Sequence, residues 1–539
     1  MKRILIFCLL FFIGWSVLKS QVVLQPITSS VYEFLDEMAQ EKKIELNSAV
    51  KPYSRMFIAK KLEEINEQKT DLNKRQQKEL AFYLKDFNKE LIGTKGEFEK
   101  RKDLFYYNDS LFTLTVNPIL GFKYATNENG AYTHRWNGGE LYGNIGTHFG
   151  FYASLRDNGI SDILAAPEHL TTTQGGNFKY NQGQTGQRSD YSEMLGGVFY
   201  SWKWGRLGIV KDNHNWGDNY HGANIFSGKN PSVGYVDFNI KPTKWFELNY
   251  IHSWLVSEIL DSNRIFLVNN QKREVYTNKN LAANLFTIKP FKNFFISLGN
   301  SVVYADDGVK PFYFIPFMFY KSVDHTFNGA GSNAVGQNSQ MFFNISSRQI
   351  KYIHLYTTVF LDEISIGNMW DKNNHTNLFS AKLGMKINNF PIRNTYLIAE
   401  YTRTNPWTYR HQIESTTYAS NQYTLGHYLG ENAQEIYLEA GLKVIRGLKL
   451  ALAYTHAQKG DAHVFEIVQG NSNVTGLNFM ERVDWENQTI EAIASYEVIN
   501  DGYIFARVAL SNIKGNEFYT PELMRGKTTT ITAGINFGF

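Results

Sequence analysis

The last twelve residues, TTTITAGINFGF, alternate without a break. Thr529, Ile531, Ala533, Ile535, Phe537 and Phe539 share one parity, and small or polar residues hold the other. A period of two is the mark of a strand with unlike faces. The same period governs the chain from about residue 111 onward. In GELYGNIGTHFGFYASLR the odd positions carry Leu141, Ile145, Phe149, Phe151 and Leu155, and the even ones Tyr142, Asn144, His148, Tyr152 and Arg156. YIHLYTTVFLDE, TYLIAEYTRT, LKLALAYTHA and YIFARVALSN repeat the pattern. One face suits lipid and the other water. A sheet in lipid tolerates no unpaired edge, so strands of this kind must close on themselves.

The connections support a membrane barrel over a soluble sandwich or propeller. Short ones follow Lys203, Lys241, Pro290, Ile445 and Asn500. Long polar ones occupy 157–190, 214–231, 257–279, 305–339, 363–377, 404–433, 459–485 and 512–527. Short turns at one rim and long loops at the other are the asymmetry of bacterial outer-membrane barrels. About seventeen spans can be counted, and such barrels have an even number. The discrepancy lies in 111–139 or in FYFIPFMFY (312–320), which reads either as a strand or as an apolar part of a long loop. Roughly eighteen antiparallel strands are expected. The terminal Phe539 resembles the C-terminal signal that barrel assembly machinery reads.

Upstream the period changes. MKRILIFCLLFFIGWSVLKSQ has a basic start and a short apolar run, the pattern of a signal peptide cleaved near Ser20. Its loss removes Cys8, the only cysteine, and takes the formal charge from +4 to +1. That excludes disulfides and cysteine ligands, and it gives no case for nucleic acid. Helical periodicity then runs through 29–91. Ser30 and Glu33 form an expected capping box before Val31, Phe34, Leu35 and Met38. Ile58, Leu62 and Ile65 mark a second helix. Leu80, Tyr83, Leu84, Phe87 and Leu91 mark a third, with Asn73 and Gln76 as its cap pair. The expected organisation is a signal peptide (1–20), a periplasmic helical domain (21–103) and an outer-membrane barrel with long extracellular loops (104–539).

NHNWGDNYHGANIFSGKNP (213–231) is the densest polar and aromatic loop. His214, Asp218 and His221 there have ligand chemistry for a zinc-like ion, but a glycine-rich loop fixes no geometry, and no metal or other cofactor is expected. For catalysis the histidines at 214, 221, 252, 354, 411, 427, 456 and 463 supply bases. No Gly-x-Ser-x-Gly elbow or His-Glu-x-x-His helix accompanies them, so an enzyme is not expected. Saccharide binding fits better. Sugar faces pack on Trp and Tyr, while their hydroxyls need amides, carboxylates and Arg. Asn215, Trp216, Asp218, Tyr220, His221 and Asn224 offer that mixture in one loop, and Trp407, Tyr409 and Arg410 in another. An aromatic girdle accounts for rings at strand ends, less well for rings at loop centres.

The layout resembles the Wzi family of outer-membrane capsule assembly proteins, in its Bacteroidetes-type form. WGDNYHGANIFSGKNP resembles that family's Trp-Gly loop. ENAQEIYLEAGLKV after GHYLG resembles its later glycine segment, EYTRT its Glu-Tyr strand, and VYEFLDEMAQEKKIELNSAVKPYSR its N-terminal region. Asp218 and Asn219 stand where the family has Pro-Gly. The resemblance implies a non-enzymatic lectin that holds capsular polysaccharide at the cell surface. The loop would then offer Trp216 and Tyr220 to glycan or fold back to close the lumen. A porin-like or substrate-specific channel is the alternative.

Overall fold

The computed structural model describes residues 23–91, 101–178, 186–305, 308–328, 336–468, 471–472 and 474–538. The expected signal peptide and Phe539 lie outside them. The described residues form one closed sheet of eighteen antiparallel strands. The first six are β1 Phe112–Asn127, β2 Gly130–Ile145, β3 Phe149–Ile160, β4 Ser189–Trp202, β5 Gly205–Asp212 and β6 Val233–Ile240. Then come β7 Phe246–Leu255, β8 Lys279–Phe291, β9 Phe294–Tyr304, β10 Asn338–Ser347, β11 Ile353–Glu363 and β12 Leu378–Asn388. The circle is completed by β13 Thr395–Thr404, β14 Ala433–Ile445, β15 Leu448–Gly460, β16 Val483–Ile499, β17 Gly502–Gly515 and β18 Gly526–Phe537.

The sheet closes where β18 meets β1, from Ile531 opposite Thr126 to Phe537 opposite Leu120. Past the end of β18, a four-residue strand, Phe105–Asn108, takes over the pairing with β1, from Phe105 opposite Val116 to Asn108 opposite Thr113. The first hairpin, joined at Glu128–Asn129, has both of its strands, which brings the count to eighteen. FYFIPFMFY is not a strand. It makes the 3-10 turn Pro311–Phe314 and leads into helix Tyr320–Asn328, with Tyr313 and Tyr320 packed beside Tyr250 and Tyr304.

Strand parity follows the sequence pattern. Leu120, Phe122 and Tyr124 of β1, Ile504, Val508 and Leu510 of β17, and Ile531 and Ile535 of β18 are all exposed on the outside. Such an apolar belt would be a liability in water, and a bilayer covers it. No helix among the described residues is long and apolar enough to cross a membrane.

Three helices, α1 Val31–Gln40, α2 Arg55–Asn66 and α3 Lys74–Phe87, pack around Phe34, Leu35, Met38, Ile58, Leu62, Leu80 and Phe87. Asn73 and Gln76 make the expected reciprocal cap on α3. The Ser30–Glu33 cap does not form. Ser30 has helical backbone angles and makes no side-chain cap bond. Its hydroxyl donates to Glu497 at 2.5 Å, and Glu33 takes Lys449 at 2.8 Å. Both groups are used to dock the helix on the barrel instead.

The docking surface is the short-turn rim. Tyr352 N donates to Gln40 O at 2.7 Å, Lys289 reaches Glu45 at 2.6 Å, and Arg446 lies 4.2 Å over the Phe82 ring. Arg101 pairs with Asp501 in the β16–β17 turn. From this rim the segment Leu46–Tyr53 reaches up into the lumen.

Candidate functional site

The loop between β5 and β6 does not lie over the mouth. It turns inward and crosses the lumen to the facing wall of β10–β14. Asn215 and Trp216 pair as a short antiparallel strand with Lys51 and Val50, and Gly217 N donates to Ala49 O at 2.8 Å. The long loop from one end and the helical domain from the other thus share backbone hydrogen bonds inside the barrel. Trp216 and Phe226 exchange backbone bonds of 3.1 and 3.4 Å, which pinches 216–226 into a closed lobe. Gly217 sits at φ +93, and a Cβ there would lie 3.1 Å from Thr358. Only glycine combines that backbone with so close an approach.

The lobe has an apolar and a polar side. Trp216 is 1% exposed and packs edge-on against Phe226, with ring centroids 5.1 Å apart. Around them stand Ile225, Val210, Phe342, Phe360, Tyr409, Tyr418 and Leu425, so this part of the lumen is packed like a protein core. Asn224 is fully buried and donates to the carbonyls of Thr358 and Ser380, both at 3.1 Å. A second loop, 405–432, seals the lobe from the other side. Tyr409 and Tyr418 donate to the carbonyls of Asn224 and Ile225, at 2.7 and 3.2 Å.

On the polar side Asp218 accepts from Ser48 and from Asn344 Nδ2, the latter at 2.9 Å. Glu400 takes the backbone amides of Tyr220 and His221, at 2.7 and 2.9 Å, and also holds Lys382 at 3.0 Å. Tyr220 donates its hydroxyl to Asp36 of α1 at 2.8 Å and lies 2.7 Å from His354 Nδ1. Asp36 in turn holds Arg348 at 2.9 Å and Lys386 at 3.0 Å. Burial works to raise the Asp36 carboxyl, but Lys386 and Arg348 outweigh it and hold the group well below the carboxylate range. Burial, helped by that carboxylate, pushes the Tyr220 hydroxyl well above its usual value.

Most of the residues expected to meet sugar lie inside the barrel, which is the folded-back alternative for the loop. Asn215, Trp216, Asp218 and Asn224 are interior, and Tyr220 and His221 are tied into the polar side of the lobe. Trp407 and Tyr409 are also buried, at φ +62 and +73, with their amides held by Glu431 and Asp362 at 2.8 Å. The reason is that the loops turn inward, where their rings pack on one another and on Phe342 and Phe360 of the wall. Arg410 alone of the nine keeps an open side chain, paired at 2.9 Å with Glu431.

His214, Asp218 and His221 do not converge. His214 packs on Phe226 and Tyr235, and burial takes its pKa down to about 4. His221 stacks on Tyr437 at 3.9 Å, with Nε2 3.4 Å from Glu435. Among the described residues no group of three or more His, Cys, Asp or Glu is placed to hold a metal.

Sequence reasoning missed Asp36, Ser48, Arg348, Lys386 and Glu400. Asp36 carried a signal, being an acid between Leu35 and Met38 on an apolar helix stripe. Glu400 did too, at the water-side parity of TYLIAEYTRT.

A solved structure matches the whole architecture. It is from Escherichia coli and described as Wzi, an outer-membrane protein involved in group 1 capsule assembly and a carbohydrate-binding β-barrel. The match covers 96% of this chain and 100% of that one, at TM-score 0.56 and 11% identity. The fold is that of an outer-membrane β-barrel. Looser matches include Acinetobacter baumannii OccAB4 (TM-score 0.42, 9% identity, 79% of this chain and 97% of that one). Pseudomonas aeruginosa OccK8 (OprE) matches at TM-score 0.42 and 9% identity, over the same 79% and 97%. No protein-family model matches the chain, and no curated protein matches it.

Proposed function

We propose that this barrel holds capsular or other extracellular polysaccharide at the cell surface and is not a channel or an enzyme. The helical domain faces the periplasm and the long loops face outward. The observation that carries the reading is the two-sided closure: loop 213–231 and segment Leu46–Tyr53 meet by backbone pairing inside the lumen. A transport route gains nothing from a cross-member hydrogen-bonded at both ends, whereas a rigid platform for polymer does. The structure it matches along its full length is described as carbohydrate-binding, which agrees.

In this reading Asn215, Trp216, Asp218, Tyr220, His221 and Asn224 set the loop that supports the mouth. At the mouth Arg410, beside Trp407 and Tyr409, offers a direct contact to glycan. Outer-membrane lipid covers the apolar belt, and Phe539 serves recognition by the assembly machinery.

The test pairs two measurements. Cells lacking the protein are expected to shed surface polysaccharide that wild-type cells retain. The purified protein in planar bilayers is expected to show no steady conductance. Stable, solute-selective conductance with unchanged polysaccharide retention would establish the substrate-channel alternative instead.

A further inference from the structure

On β7–β9 the lumen parity is fixed by Ile251, Ala283 and Val303, which belong to the core around Trp216. The opposite parity carries Tyr250, His252, Asn284, Asn300 and Tyr304, so these side chains point out of the barrel. Polar groups on that face are expensive against acyl chains. All five are nonetheless buried. What covers them is the segment 311–320, which runs along the outside of the wall and packs Tyr313 and Tyr320 on Tyr250, Ala282, Val302 and Tyr304.

Wall and segment satisfy one another. Asn284 Nδ2 donates to the carbonyls of Pro316 and Met318, at 3.1 and 2.9 Å. Asn300 Nδ2 also reaches Met318 O at 3.2 Å, and its Oδ1 accepts from Tyr320 N at 2.9 Å. Tyr250 donates to Tyr313 O at 2.8 Å, and the His252 ring stacks on Phe314 at 4.2 Å. Irregular backbone persists at membrane depth only where protein answers its polar groups. Two asparagines at lipid parity do that here.

The segment lies level with the apolar belt. Met341 stands directly opposite Asn300 on β10 and is 46% exposed. Leu298, two residues nearer the short-turn rim than Asn300, is exposed, and so is Trp254, two beyond His252 toward the long-loop rim. Bare apolar wall therefore brackets the segment from below and above. Its own outer side shows Ile315, Phe317 and Phe319, with Phe317 60% exposed. Lys310 and Lys321 flank the run, and long cationic stems at such places carry their charge to the headgroups.

We propose that 311–320 is a strap immersed in the outer leaflet, with Ile315, Phe317 and Phe319 seated among lipid acyl chains and its carbonyls carried by Asn284 and Asn300. The occupant is lipid because the exposed face of the strap continues the belt on either side of it. This contact is independent of whatever the outer mouth holds.

The only natural cysteine lies in the expected signal peptide, so single labels are clean. Phe317→Cys, Met341→Cys and Lys372→Cys are each labelled with a fluorophore in the exported protein. The proteins are placed in vesicles of phosphatidylethanolamine and phosphatidylglycerol, part of the lipid brominated on its acyl chains. The Phe317 label is expected to be quenched by brominated lipid as strongly as the Met341 label and to be shielded from aqueous iodide. The Lys372 label, in outer loop 363–377, is expected to show the opposite pattern. Iodide quenching at 317 equal to that at 372 would overturn the proposal. Shielding at 317 from both quenchers, which would mean that protein covers the face, would overturn it equally. Asn284→Leu combined with Asn300→Leu suits lipid at that parity, so heat-modifiability on gels is expected to be kept. In that background the Phe317 label is expected to lose lipid quenching and gain iodide quenching, and an unchanged pattern would overturn the role given to the two amides.

Discussion

Tyr220 of the crossing loop donates its hydroxyl to Asp36 of α1 across 2.8 Å. A loop that leaves the long-loop rim and a helix that docks at the opposite rim therefore share one hydrogen bond inside the lumen. Asp36 is the hub, since Arg348 and Lys386 of the barrel side meet it within 3.0 Å.

Asp36→Asn keeps the shape and leaves two buried cations without their carboxylate. Breaking one partner of a buried ion pair costs about 3–5 kcal/mol. Protease cleavage within the helical domain is expected to speed up in this variant, with the barrel still heat-modifiable. Equal protection of the two proteins would show that Asp36 does not hold the domain in place.

The same carboxylate sets a pH dependence. Its folded pKa lies well below the unfolded value of about 3.9. The stability it contributes is then fully present above that unfolded value and is lost only as pH falls through the lower folded one. Domain protection against protease, read after incubation at pH 7 down to 4, is expected to stay flat. A midpoint between pH 5 and 6 would contradict the Asp36 assignment.

Trp216→Ala removes a fully buried ring from the lumen core, a change that costs about 3–5 kcal/mol. Glu400→Gln weakens the grip on the Tyr220 and His221 amides and leaves Lys382 buried beside a neutral partner. Both variants are expected to raise ion conductance in planar bilayers and to lower the temperature of the gel shift. Silent bilayers for both would mean the lumen stays shut without this loop.

Parity gives a test of the membrane face. Ile531→Arg places a cation at mid-strand on the lipid side, worth about 2–4 kcal/mol against insertion. Ala509→Lys faces the lumen opposite Glu491 and is expected to insert normally. Similar outer-membrane amounts of the two variants would contradict the inside–outside assignment.

Deleting Phe539 is expected to reduce the amount inserted while the inserted fraction keeps its closed lumen. Quantitative blotting of outer-membrane fractions decides it, and unchanged abundance would remove the terminal signal from the account.

The barrel was legible because lipid imposes one rule on every strand. Ile531 and Leu141 needed no partner to be read, only their parity. The cap at Asn73 was legible because it is local. Ser30 and Glu33 have the same spacing and failed as a cap, since Glu497, far along the chain, takes the Ser30 hydroxyl as its donor and Lys449 takes Glu33. Trp216 stayed open between two uses for the same reason. Its indole reads equally as a sugar platform or as filler, and only the closeness of Phe226, Ile225 and Phe342 decides. Period and spacing carry no information about which distant wall a loop will reach.

The four residues Phe105–Asn108 give the seam an unusual construction. β1 is zipped by two different ends of the chain: β18 along one stretch, then the segment that has just left the helical domain. The domain is therefore stitched into the barrel's own closure, not merely seated beneath it. Cutting the helices away at this segment would therefore also take four residues of pairing out of the seam.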